Sequence, residues 1–140
     1  MTIEDPHLTY RQLDGSIHSF TFHRANRKAL DAFGVKLAEI FAQHPPDECI
    51  LFYVDLRPDG LPPVTYSLRT LRRIFGEIGK PPTIFAAYLY ESSLIMSLLG
   101  SFMDTLRLGA TRRLFHGDKD DEAIEWLLEM QRDFRRQIVT

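Results

Sequence analysis

At 140 residues the chain is one domain by length, large enough to bury a single core without disulfide or metal staples. A hydrophobic fraction of 44% beside 26% charged residues is that of a soluble globular protein. The net charge of −2 excludes any global attraction to nucleic acid or to an anionic membrane, and the lone Cys49 excludes an internal disulfide.

The opening Met1-Thr2-Ile3-Glu4-Asp5-Pro6 has neither the basic start nor the apolar run of a secretory signal, so a cytoplasmic location is expected. Residues 8–13 and 17–23 read as two strands around Asp14-Gly15, a two-residue hairpin turn whose members both tolerate positive φ. Phe20 and Phe22 share one face of the second strand. Asn26 is placed to cap a helix whose apolar stripe is Leu30, Phe33, Leu37, Ile40 and Phe41, which Gly34 weakens slightly and Pro45-Pro46 ends. Residues 49–57 form an apolar strand that buries Cys49 as a small hydrophobe. After the breaker-rich loop, a helix starts near Pro63, with Leu68, Leu71, Ile74, Phe75 and Ile78 on its inner stripe and Gly79 at its C-cap.

Residues 83–90 are again apolar throughout, as in a strand covered on both faces. Ser92 or Ser93 caps a helix over 94–106, which Gly109 terminates; a short strand over 112–116 and a helix over 119–138 follow. Asp120, Asp121 and Glu122 open this last helix, and Arg132, Arg135 and Arg136 lie near its end, complementing the macrodipole. Its buried stripe is Ala123, Ile124, Leu127, Leu128 and Phe134, interrupted once by Gln131. The stretch 84–103 is too interrupted, at Glu91-Ser92-Ser93, for a membrane span. The predicted fold class is therefore α/β: an N-terminal β-hairpin, then alternating helices and mostly parallel strands in the order β-β-α-β-α-β-α-β-α, one sheet covered by helices.

Parallel strands place ligand sites at their carboxyl ends, which singles out three loops. In the first, Asp55 and Asp59 can position a cation or a hydroxyl and Arg57 can grip an anion, while Asp59-Gly60 is equally ordinary turn chemistry and Asp55 a cap for loop amides. In the second, Glu91, Ser92 and Ser93 precede helix amides that can bind phosphate or carboxylate, or simply form a serine cap. In the third, His116 and Asp118 can act as base and orienter or form a turn. The five histidines show no metal-ligand spacing, no Gly-rich phosphate loop or nucleophile elbow occurs, and no metal or cofactor is expected. The basic clusters Arg69-Arg72-Arg73 and Arg132-Arg135-Arg136 read as solvated faces without a nucleic-acid partner.

Apolar positions of the helix over 94–106 sweep roughly 200° of its cylinder, where a helix lying on a sheet needs little more than about 100°. That excess is either deep burial between neighbouring elements or a contact with a second partner. Met96, Leu99 and Met103 are the expected interface residues, and a homodimer is expected.

Three segments resemble the STAS family (sulfate-transporter and anti-sigma-factor antagonist domains) and its lipid-binding-like bacterial relatives. Val54-Asp55-Leu56 is similar to the family's strand ending in an Asp-Leu pair before its regulatory loop. Leu106-Arg107-Leu108-Gly109-Ala110-Thr111-Arg112-Arg113-Leu114-Phe115 is similar to the short strand after a Gly-containing turn. Asp120-Asp121-Glu122-Ala123-Ile124-Glu125-Trp126-Leu127 is similar to the terminal helix. The resemblance spans roughly residues 8–132 and implies a non-catalytic regulatory or protein-binding module. A carrier or sensor of a small apolar or anionic, lipid-like ligand is the alternative, and an enzyme comes third. Phosphorylated members carry Asp-Ser-Ser/Thr-Gly where this chain places Thr65 among Pro63, Val64 and Tyr66, so the phosphoswitch is expected to be lost.

Overall fold

The computed structural model describes residues 3–4, 6–13, 16–45, 47–60, 62–78, 82–92, 97 and 111–139. Among these the order is β1 (Ile3–Glu4), β2 (Leu8–Leu13), β3 (Ile17–Phe22), α1 (Arg27–Gln43), β4 (Ile50–Asp55), α2 (Val64–Ile78), β5 (Ile84–Tyr90), β6 (Thr111–His116) and α3 (Asp120–Val139). The strands lie in sequence order in one mixed sheet. The first two pairings are antiparallel and the three from β3 to β6 are parallel. The predicted α/β class holds over the described residues, and the order of elements is close to the predicted one: the two-residue β1, which was not expected, pairs with β2 ahead of the hairpin. Apart from the helical, exposed Ser97, the helix expected over 94–106, with Met96, Leu99 and Met103, lies outside the described residues, as do Ser93, the Asp14-Gly15 turn and the stops at Gly79 and Gly109.

All six residues of β4 are buried, because helices cover it on both sides. Right-handed crossovers between sequential parallel strands put α1 and α2 on one face, where they pack together. There Phe20, Phe22, Phe52 and Val54 meet Leu37 and Ile40 of α1 and Leu71 of α2. On the opposite face Leu51, Tyr53, Ala87, Leu89 and Phe115 meet Ala123 and Leu127 of α3. Cys49 is a buried free thiol on that second side, and burial pushes its pKa up.

Local chemistry sets the boundaries. Asn26 caps α1, its side-chain oxygen accepting the Ala29 N–H at 2.9 Å. Gly34 has a packing role beyond its weak helix propensity: a Cβ there would lie 3.1 Å from Ile74 Cδ1 and 3.4 Å from Thr70 Cγ2, so the missing side chain lets α1 and α2 approach. In the hairpin Leu13 pairs with Ile17, which makes the connection three residues long in place of the predicted two. It closes on Ser16 at φ 71°, the left-handed residue that three-residue hairpin loops use to match strand twist. Helix α3 opens with Asp120, Asp121 and Glu122 and carries Arg136 in its last turn.

Candidate functional site

Helix α3 lies over β4 and β5, and beside it the second face of β2 and β3 stays open as one wall of a groove. Register decides what that face offers. Thr9, Thr21 and Asp55 stand side by side in the row nearest the strands' carboxyl ends. Arg11, Ser19 and Tyr53 form the next row, and Leu13, Ile17 and Leu51 a third, apolar one. The face thus grades from apolar to polar toward the edge where parallel sheets hold ligands.

At that edge β4 ends in Asp55, and the chain turns so that Arg57 folds back on it. The Arg57 backbone N–H donates to Asp55 Oδ1 at 3.0 Å, its Nε donates to the same oxygen at 2.9 Å, and Nη2 donates to Oδ2 at 2.8 Å. The rest of the fork reaches the start of α3. Nη1 donates to Asp120 Oδ1 and to the Gly117 carbonyl, each at 2.8 Å, and Nη2 donates to Asp120 Oδ2 at 2.7 Å. These contacts use all five N–H groups of the guanidinium. Tyr53 adds its hydroxyl, donating to Asp120 Oδ2 at 2.7 Å.

The electrostatics follow the geometry. Hydrogen bonds to Asp55 and Asp120 hold Arg57 even more firmly charged than usual. The Arg57 hydrogen bond, helped by Tyr53 and opposed by burial, draws Asp120 down to about 2. Burial first, then the bond to the Asp120 carboxylate, raises Tyr53.

Of the residues singled out in the sequence, the structure joins Asp55 to Arg57 and gives Asp55 the amide-capping role. The guanidinium expected to grip an anion is engaged by the chain's own acceptors. Asp59 is elsewhere: its Oδ2 accepts the Ala25 N–H at 2.7 Å and ties the loop after β4 to the lead into α1. Thr65 is exposed in the first turn of α2, and Glu91 and Ser92 are exposed beyond β5. His116 meets Glu91 through the backbone, with Nε2 at 2.9 Å from the Glu91 carbonyl and its ring 5.3 Å from that of Tyr90. Sequence reasoning missed Asp120 and Tyr53 as members of the site, and all of the β2–β3 wall. The period-two alternation of apolar Leu8, Tyr10, Phe20 and Phe22 with polar Thr9, Arg11, Ser19 and Thr21 was the available signal.

The groove between the polar rows and α3 measures about 330 Å³, with His23 and Ile124 on its sides. Thr9 Oγ1 and His23 Nε2 are 2.7 Å apart within it. A separate cavity of about 500 Å³ lies at the opposite, amino edge. Tyr10 OH stands 2.7 Å from His18 Nδ1 there, and Lys36 Nζ lies 4.4 Å over the Tyr10 ring. Burial, then the His44 and Lys36 charges, lowers His18 to about 4. Among the described residues no group of three or more His, Cys, Asp and Glu side chains is arranged to hold a metal ion, and no helix is long and apolar enough to cross a membrane. Neither a protein-family model, nor a curated protein, nor a solved structure matches this chain.

Proposed function

We propose that this chain is a non-catalytic binding module of STAS-like type that recognises a protein partner through the carboxyl edge of its sheet. The observation that carries this reading is the Arg57 clamp. By joining the end of β4 to the start of α3, it holds the loops at 57–60 and 117–119 in one fixed relation, with Glu91 exposed between them. Preset loops bind with less ordering cost than mobile ones, which suits recognition. The order of elements and Val54-Asp55-Leu56 support the STAS-like assignment. Thr65 is exposed where the family's phosphorylated residue would stand, but its neighbours differ, and the proposal has no phosphoswitch. Self-association through residues 94–106 and a cytoplasmic setting belong to the same reading, and sedimentation of the purified protein at micromolar concentration decides the former.

Affinity capture with the unmodified chain and a variant carrying Asp59→Lys and Glu91→Lys tests the proposal. The expected result is one stoichiometric protein retained by the former and lost from the latter. Equal retention by both, or none by either, would overturn it. The groove favours a second reading, a carrier or sensor of a small ligand, which native mass spectrometry would reveal as a retained mass.

A further inference from the structure

The open face of β2 and β3 is more than the solvated side of a mixed sheet. An exposed sheet face is ordinarily polar, but Ser19 is only 7% exposed, and its hydroxyl has no side-chain partner among the described residues. In the same row stands Arg11, exposed and, among the described residues, without an ion pair or hydrogen bond to its guanidinium. Asp55, Arg57 and Asp120 on the other side of the groove satisfy one another. Among the described residues, the bonding capacity that this side of the groove leaves open is one planar guanidinium with five donors, flanked by the hydroxyls of Ser19 and Thr21, while Thr9 is engaged with His23. A guanidinium fork is matched by two oxygens of one carboxylate or phosphate, and short hydroxyl side chains complete the remaining oxygen contacts. Arg57 offsets one of the two carboxylate charges of Asp55 and Asp120, which halves the repulsion that two bare carboxylates would exert on an anion nearby and leaves Arg11 to balance the rest.

We infer that this groove binds the carboxylate or phosphate group of a small polar molecule, with Arg11 supplying the charge and Ser19 and Thr21 the hydroxyl contacts. The volume of about 330 Å³ admits a metabolite-sized ligand and no folded partner. Leu13 and Ile124 offer a short apolar margin for its non-ionic part. This deepens the carrier-or-sensor reading and stands apart from recognition of a protein by the edge loops.

The test is a nitrogen-15 amide NMR titration of the full chain with inorganic phosphate and, separately, with acetate, at constant ionic strength. Saturable shifts centred on Arg11, Ser19, Thr21 and His23, with a Kd at or below about 10 mM, are expected for at least one probe. Response to both assigns oxyanions in general; response to one alone assigns phosphate or carboxylate ligands respectively. Arg11→Gln should weaken binding about tenfold or more, and Arg11→Lys, which keeps the charge but loses the fork, by less. Spectra of both variants away from the groove report whether they fold normally, and Ser19→Ala provides an independent loss should they not. No response to either probe, shifts mapping elsewhere, or undiminished binding by correctly folded Arg11→Gln would overturn the inference. A retained ligand in native mass spectra alongside such a negative result would leave the carrier-or-sensor reading standing and this site refuted.

Discussion

Without the Arg57 guanidinium, Asp55, whose side chain is 12% exposed, would face Asp120 with no cation between them. Breaking a buried pair from one side is strongly destabilising, but the Asp120 side chain is 42% exposed and water screens it. We expect Arg57→Met to cost about 2–4 kcal/mol in urea denaturation, and Asp120→Asn to cost less. The acid limb carries the same signature. The Asp120 pKa falls from 3.8 to about 2 on folding, so its contribution is present above the unfolded value and lost as pH drops through the folded one. Between about pH 4 and pH 2 the stability of Asp120→Asn should therefore fall less steeply than that of the unmodified protein. His18 acts in a higher window. It is kept neutral by burial, with a pKa lowered from 6.5 to about 4, so its contribution is complete above 6.5 and is lost as pH falls toward 4. Urea midpoints measured from pH 8 to pH 4 should decline for the unmodified chain and flatten in His18→Gln. Capping of a loop amide by Asp55 was one of the two roles legible in the sequence, whereas the folding back of the Arg57 side chain onto Asp55 was not. The pairing of Arg57 with Asp120 was not legible either, because an acid in a helix's first turn already has a sufficient reason in the macrodipole.

Helix α1 and helix α2 touch through a glycine that propensity alone would count as a defect. Gly34→Val places branched methyls against Ile74 and Thr70 and should cost about 1–3 kcal/mol by overpacking. Gly76 is the internal control: it lies in α2 with nothing within 4 Å of a Cβ built on it. Gly76→Ala should stabilise by up to about 1 kcal/mol through helix propensity, and paired thermal unfolding of the two variants checks both signs. Elements of strong pattern were readable: β4 and β5 as continuous apolar runs covered on both faces, and α1 and α3 by apolar stripes that turn to the sheet. Which sheet face α3 would cover was not readable, since nothing local distinguishes a wall of a groove from an ordinary solvated strand. The hairpin register escaped because Asp14-Gly15 suits several loop lengths, and only the pairing of Leu13 with Ile17 selects three residues.

For the molecule as a whole, the Arg57 clamp should set the carboxyl edge in place before anything binds to it. The sequence located that edge through the strand–loop–helix order, but the clamp that sets it joins segments that only the fold brings together. Four backbone amides report directly on it. Leu56 N–H donates to the Leu89 carbonyl, Gly60 N–H to that of Leu56, and Gly117 N–H to that of Tyr90, each at 2.9 Å, while Arg57 N–H donates to Asp55. A preset edge keeps these bonds closed in the free protein, and local opening sets their exchange rate. Native-state amide hydrogen exchange of the unmodified chain is the most direct measurement. Protection at Leu56, Arg57, Gly60 and Gly117 is expected to approach that of β4. Exchange of these four amides at the rates of an open loop, while β4 stays protected, would contradict a preset edge.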